Sequence, residues 1–163
     1  MKVNAIELLN VLGKVRGVVA DNTVVEELRA FHMLPENGIL KVAGTDSSMT
    51  ILEQIPYEAT DASDGSKLVL SVDKIMEVIK YAGAEVEFSY AEEDEGVKLK
   101  TPTSAVTLRK HFSGIDDVID FELDKADGFV DELTVNDFKT ILASLSSVID
   151  SNAIDASHKT IFF

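Results

Sequence analysis

Apolar residues recur along this chain in a pattern that is itself repeated. Val3-Asn4-Ala5-Ile6-Glu7-Leu8-Leu9-Asn10-Val11-Leu12 aligns with Leu70-Ser71-Val72-Asp73-Lys74-Ile75-Met76-Glu77-Val78-Ile79, 67 residues on. Both align with Leu133-Thr134-Val135-Asn136-Asp137-Phe138-Lys139-Thr140-Ile141-Leu142, a further 63 residues on. Apolar residues coincide at Val3/Leu70/Leu133, Ala5/Val72/Val135, Leu8/Ile75/Phe138, Val11/Val78/Ile141 and Leu12/Ile79/Leu142. Spacings of three and four residues mark one face of a helix. A repeat of this period marks one supersecondary unit used again.

The first copy predicts a short strand at Lys2-Val3, then a helix from Ala5 to Val15 with Asn4 as N-cap and Glu7 at the capping-box position. Arg16–Thr23 reads as a loop, and Val24–Leu34 as a segment whose start is ambiguous between helix and strand. Pro35-Glu36-Asn37-Gly38 is a hairpin turn, because Asn-Gly accepts the positive φ angles such turns need. Ile39–Ala43 and Ser48–Ile55 alternate as strands around a turn at Gly44–Ser47. The second copy predicts a strand at Lys67–Leu70, a helix from Val72 to Ala82 capped by Ser71 and ended by Gly83, and strands around Val86–Tyr90, Val97–Lys100 and Ala105–Arg109. Phe112–Lys125 is an acidic connector. The third copy starts near Phe129 and has a helix from Thr134 to about Val148 and a strand at Lys159–Phe163. The expected class is α+β, with two helices on one face of antiparallel strands and an internal pseudo-twofold axis. The expected division is one domain over residues 1–125, built of repeats 1–66 and 67–125, and the start of a second over 126–163.

Composition narrows the chemistry. The 163 residues are 45% hydrophobic, as in a globular protein, and no apolar run is long enough to span a bilayer. There are no cysteines, which excludes disulfides, thiolate catalysis and zinc–thiolate sites. A cytoplasmic location is expected. His32, His111 and His158 lack metal-ligand spacing and read as surface or half-buried histidines. Val42–Ser48 lacks the Lys and the following helix of a phosphate loop. Asp46, the one candidate for a general base, has no nucleophile partner, and its repeat mate is Pro102-Thr103. Glu92–Glu95 and Asp116-Asp117 lack the spacing and glycine of a calcium loop. Neither catalysis nor a cofactor is expected.

The net charge is −14, from 29 Asp and Glu against 15 Lys and Arg. A chain this acidic is a poor candidate for tight nucleic-acid binding. The acid concentrates in Glu85–Glu95 and Asp116–Asp137, whereas residues 1–30 balance. Lys14 and Arg16 follow the first helix, Lys74 and Lys80 lie on the second, and Lys139 lies on the third. Helices lying side by side would gather these cations into a modest phosphate-attracting surface without base readout.

Ile39–Met49, Leu70–Ile79, Val97–Phe112 with Ile115-Asp116-Asp117, and Glu132–Val135 resemble, in order, segments of the bacterial sliding clamp, the β subunit of DNA polymerase III. The resemblance covers essentially the whole chain. It implies a DNA-clamp fold whose domains each contain two strand–helix–strand units. Such domains close into a ring with helices inside and sheet outside, which encircles duplex DNA and tethers the replicative polymerase without chemistry of its own. It implies DNA-facing roles for Lys14, Arg16, Asn22, Lys74, Lys80, Lys139 and Lys159. It also implies double-stranded DNA, a polymerase, a clamp loader and further clamp domains as partners, with the polymerase and loader reached through regions following Phe163. The chain departs from the family pattern at Asn22, where an arginine is usual, and at Thr103 and Ala105, where basic residues can occur. Lys74 can face either DNA or a subunit joint. The rival expectation is a stand-alone protein-interaction module that kept this fold and does not encircle DNA.

Overall fold

A computed structural model describes residues 1–20, 23–60, 65–91, 95–110, 119 and 134–146. The chain divides into two compact units, Met1–Leu123 and Asp124–Phe163.

In the first unit, β1 (Lys2–Asn4) leads directly into α1 (Ala5–Val15). The Asn4 side chain accepts hydrogen bonds from the Ile6 and Glu7 amides at 3.0 and 3.1 Å, satisfying two of the amides a helix start leaves without partners. One turn of 3-10 helix, Arg16–Val18, extends α1, and a second, Glu26–Arg29, precedes β2 (Ala30–Glu36). The ambiguous stretch from Val24 to Leu34 is therefore first helical and then strand. β2 turns through Asn37 and Gly38, at φ 51° and 81°, into β3 (Ile39–Thr45), as Asn-Gly predicts for a tight hairpin. β4 (Thr50–Pro56) completes the first copy. The second copy repeats this order with β5 (Leu68–Ser71), α2 (Val72–Lys80), β6 (Glu85–Ser89), β7 (Gly96–Lys100) and β8 (Ala105–Arg109). Ser71 makes no side-chain capping bond, contrary to its expected role, and α2 stops at Lys80, two residues short of the expected end. Gly83, at φ 76°, reverses the chain before β6.

The strand pairing bears out the α+β class and adds what the sequence left open, how the strands divide into sheets. The described strands of this unit form two four-stranded sheets, ordered β1-β6-β7-β8 and β4-β3-β2-β5. Each copy gives its first strand to the other copy's sheet. Val3 of β1 pairs with Val86 of β6, and Leu70 of β5 pairs with Phe31 of β2, both antiparallel. Isolated bridges Lys2–Glu58 and Leu70–Lys110 then tie each donated strand to the chain following the last strand of its own copy. This reciprocity is what the internal symmetry of the sequence means in three dimensions.

One core serves both copies. Leu8, Leu12 and Val15 of α1, Ile75 and Ile79 of α2, and Phe31, Met33, Leu40, Phe88, Val97 and Leu99 from the sheets belong to one buried cluster. α1 lies against β3, β4 and α2, and α2 lies against β5 and β8. Each fully buried large apolar side chain contributes about 1.5–3 kcal/mol. His32, expected near the surface, is fully buried in β2, and its Nε2–H donates to the Glu27 carbonyl at 2.9 Å. A carbonyl can only accept, so this contact fixes the tautomer. The amino group of Met1 donates to the Thr60 hydroxyl and the Phe88 carbonyl, each at 2.8 Å. Its burial lowers its pKa from the ordinary 8.0.

Gly44, expected in a turn, sits inside β3 where that strand meets the end of α1. A Cβ there would lie 2.7 Å from Val19 Cγ2 and 2.8 Å from Val15 Cγ1. Gly44→Ala is therefore expected to destabilise the protein by about 1–3 kcal/mol through overpacking. Urea denaturation checks this; Gly17→Ala, where added volume meets nothing within 4 Å, is the control.

In the second unit, α3 runs Val135–Ser146. The Thr134 hydroxyl accepts from the Asp137 amide at 3.2 Å and donates to the Asp137 carboxylate at 2.6 Å, so Thr134 caps the helix.

Candidate nucleic-acid interface

The repeat assigns each position on the helices to a buried or an outward stripe. Ala5, Leu8, Val11, Leu12 and Val15 are buried on α1, and Val72, Ile75 and Ile79 on α2. The outward positions are Ile6, Glu7, Asn10, Gly13 and Lys14 on α1, and Asp73, Lys74, Glu77, Lys80 and Tyr81 along α2 and at its end. These are the same repeat positions in the two copies.

The charges on this stripe balance. Glu7, Asp73 and Glu77 stand against Lys14, Lys74 and Lys80, in a chain whose net charge is −14. The helical surface is thus neutral rather than basic, and it is the less acidic part of the molecule. Lys14 is further engaged, since its Nζ lies 2.9 and 3.1 Å from the two carboxylate oxygens of Glu53 on β4. Lys80 Nζ sits 5.7 Å from the ring centroid of the exposed Tyr81, within reach of a cation–π contact. Lys74 borders a shallow groove with Ser71, Val106, Leu108 and Arg109, beside β8, an end strand of its sheet among the described residues.

Arg16 takes a different place. It lies past the end of α1, half-buried, and lines a depression with Arg29, Glu26 and the start of α2 at Ser71–Asp73. Arg29 was not anticipated from the sequence. It stands immediately before β2, and the pairing of Ala30 with Ser71 carries it to the N-terminal end of α2. Only the long-range strand exchange could have revealed this. Lys139 is exposed on α3 in the second unit, at the repeat position of Leu9 and Met76. Asn22 and Lys159 lie outside the described residues, as do Asp116, Asp117 and Glu92–Asp94.

Asp46 closes a turn. Its carboxylate accepts from the Ser48 and Met49 amides at 2.8 and 2.7 Å, and these bonds hold its pKa below the usual 3.8. Among the described residues, no three His, Asp or Glu side chains gather where they could hold a metal ion. No helix among those residues is long and apolar enough to cross a membrane.

Solved structures place this architecture. The DNA polymerase III β subunit of Pseudomonas aeruginosa superposes with a TM-score of 0.80 over 97% of this chain, at 16% identity. The chain has the sliding-clamp fold. The chain spans 42% of the length of that clamp. The Caulobacter crescentus sliding clamp matches 78% of this chain and 33% of its own, with TM-score 0.62 and 22% identity. A Helicobacter pylori β clamp, solved bound to a DNA ligase peptide, matches 77% and 33%, with TM-score 0.65 and 14% identity. No family model and no curated protein matches the sequence.

The Lys14–Glu53 pair has its Lys14 side chain 61% exposed. Exposed pairs are worth at most about 1 kcal/mol. Glu53→Gln is accordingly expected to lower stability by no more than about 1 kcal/mol, with a smaller effect still at 1 M salt. Urea midpoints at the two salt concentrations test this.

Proposed function

We propose that this chain is part of a ring-shaped clamp that encircles duplex DNA and keeps a replicative polymerase on its template. The single observation that carries the reading is the clamp-domain architecture, whose 0.80 TM-score match extends over nearly the entire chain. The helical surface of α1 and α2 would line the hole, with Lys14, Lys74 and Lys80 meeting phosphates, and Arg16 and Arg29 at its margin. Lys139, beside the outward stripe at the repeat position of Leu9 and Met76, would add a cation from the second domain. Asn22 and Lys159 are carried from the resemblance alone.

The charge balance supports this reading on physical grounds. A ring retains DNA by topology, so its wall needs only weak contacts that let the duplex slide. A strongly basic wall would add salt-dependent affinity that a topological tether does not require. An acidic exterior opposes unproductive adhesion to DNA. As an end strand of its sheet among the described residues, β8 offers, with the groove beside Lys74, a place where the sheet of a neighbouring clamp domain could continue.

A second reading is a protein-interaction module that kept the fold. The engagement of Lys14 with Glu53 favours it, since it weakens attraction to phosphate. The two readings separate on circular DNA. With its polymerase and loader, the assembled clamp is expected to stay on nicked circular duplex through gel filtration and to leave after linearisation. Equal retention on both forms, or retention on neither, would exclude the ring.

A further inference from the structure

Glu53 interrupts an apolar face. Side chains alternate along β4, so Ile51, Glu53 and Ile55 share the side that meets α1. Ile55 belongs to the buried core and Ile51 packs against it, yet the position between them holds a carboxylate. Its two oxygens lie 2.9 and 3.1 Å from Nζ of Lys14, in the last turn of α1. The two partners are not equally held. The Glu53 side chain is 28% exposed, on a strand paired along its whole length with β3. The Lys14 side chain is 61% exposed, on a flexible four-carbon stem. The ammonium can swing away, and the carboxylate stays. Lys74 and Lys80, on the matching surface of α2, have no carboxylate partner among the described residues.

We propose that Glu53 is a built-in competitor for Lys14. It occupies the ammonium that a DNA phosphate would otherwise take, and so loosens the hold of the helical wall on the duplex. This rests on the reading of that wall as DNA-facing. A carboxylate and a phosphate diester each offer an ammonium anionic oxygens as acceptors, so one can replace the other. An exposed pair is weak enough to yield to phosphate, yet it lowers the affinity of the contact by up to about fivefold.

Binding of the 163-residue chain to a short fluorescent duplex, followed by anisotropy over a series of salt concentrations, tests the proposal. Glu53→Gln is expected to bind up to about fivefold tighter at low salt. It should also steepen the fall of log K with log salt by about 0.9, the value of one added phosphate contact. Both changes should shrink once Lys14→Gln is added, because the freed ammonium is then gone. Glu36→Gln is the control. It removes the same charge and releases Lys41, its partner at 2.8 Å, on the β2–β3 hairpin rather than at a helix, and it should not reproduce the gain. Lys74→Gln and Lys80→Gln should each weaken binding, which checks the wall separately. A gain that persists without Lys14, an equal gain from Glu36→Gln, or no gain from Glu53→Gln would overturn the proposal. If that last result comes while Lys74→Gln and Lys80→Gln still weaken binding, the competitor fails and the wall stands. If none of the lysines matters, the wall fails and the competitor with it.

Discussion

The exchange of first strands between the two copies of the repeat is the constraint on which the first unit depends. β1 is only three residues long and β5 only four, and neither would be stable as an isolated element. Each is held because it completes the sheet of the other copy. Each also feeds without a break into a helix, so the exchange sets where α1 and α2 enter the core. Leu8 and Leu12 of α1 and Ile75 and Ile79 of α2 can share one buried cluster because the donated strands bring both helix starts to it. Half of this domain alone would lack an edge strand from its sheet and a helix from its core. The domain is thus one cooperative object despite its two-part sequence.

That arrangement also makes the proposed function physically coherent. Two helices delivered side by side leave one outward stripe apiece, and the rest of each helix is committed to the core. The stripe is free to vary in charge without cost to the fold. Here it holds equal numbers of carboxylates and amines while the chain as a whole is strongly acidic. A topological tether tolerates such a surface, whereas a protein that binds DNA by affinity alone would show an excess of cations there. Among the described strands, β4 and β8 end the two sheets opposite the donated strands β5 and β1.

Local chemistry was legible in the sequence and long-range pairing was not. Asn4 and the apolar spacing after it located α1 from Ala5 to Val15, because capping and helical periodicity are local effects. Asn37-Gly38 located its hairpin for the same reason. The alternation of Val86, Phe88 and Tyr90 marked a half-buried strand, and all three are buried. The repeat implied two equivalent halves, but nothing in a periodic pattern says whether a strand pairs within its own copy or with the other. His32 and Gly44 were misread for that reason. The burial of His32 and the close approach of Gly44 to Val15 and Val19 arise only when sheet and helix meet. Ser71 has the residue type of a cap but makes no capping bond, so residue type alone overstated its role. Among the candidate DNA contacts, the exposed positions of Lys74 and Lys80 follow from helical phase, while the tie between Lys14 and Glu53 required knowing that β4 runs beside α1.

Native-state hydrogen exchange is the most direct measure of the strand exchange. The amides that join β1 to β6 and those that join β2 to β5 should open together, with one free energy equal to that of global unfolding. If the first copy exchanged through an opening that left the second protected, or the reverse, the two halves would be independent units and the interlocked account would be wrong.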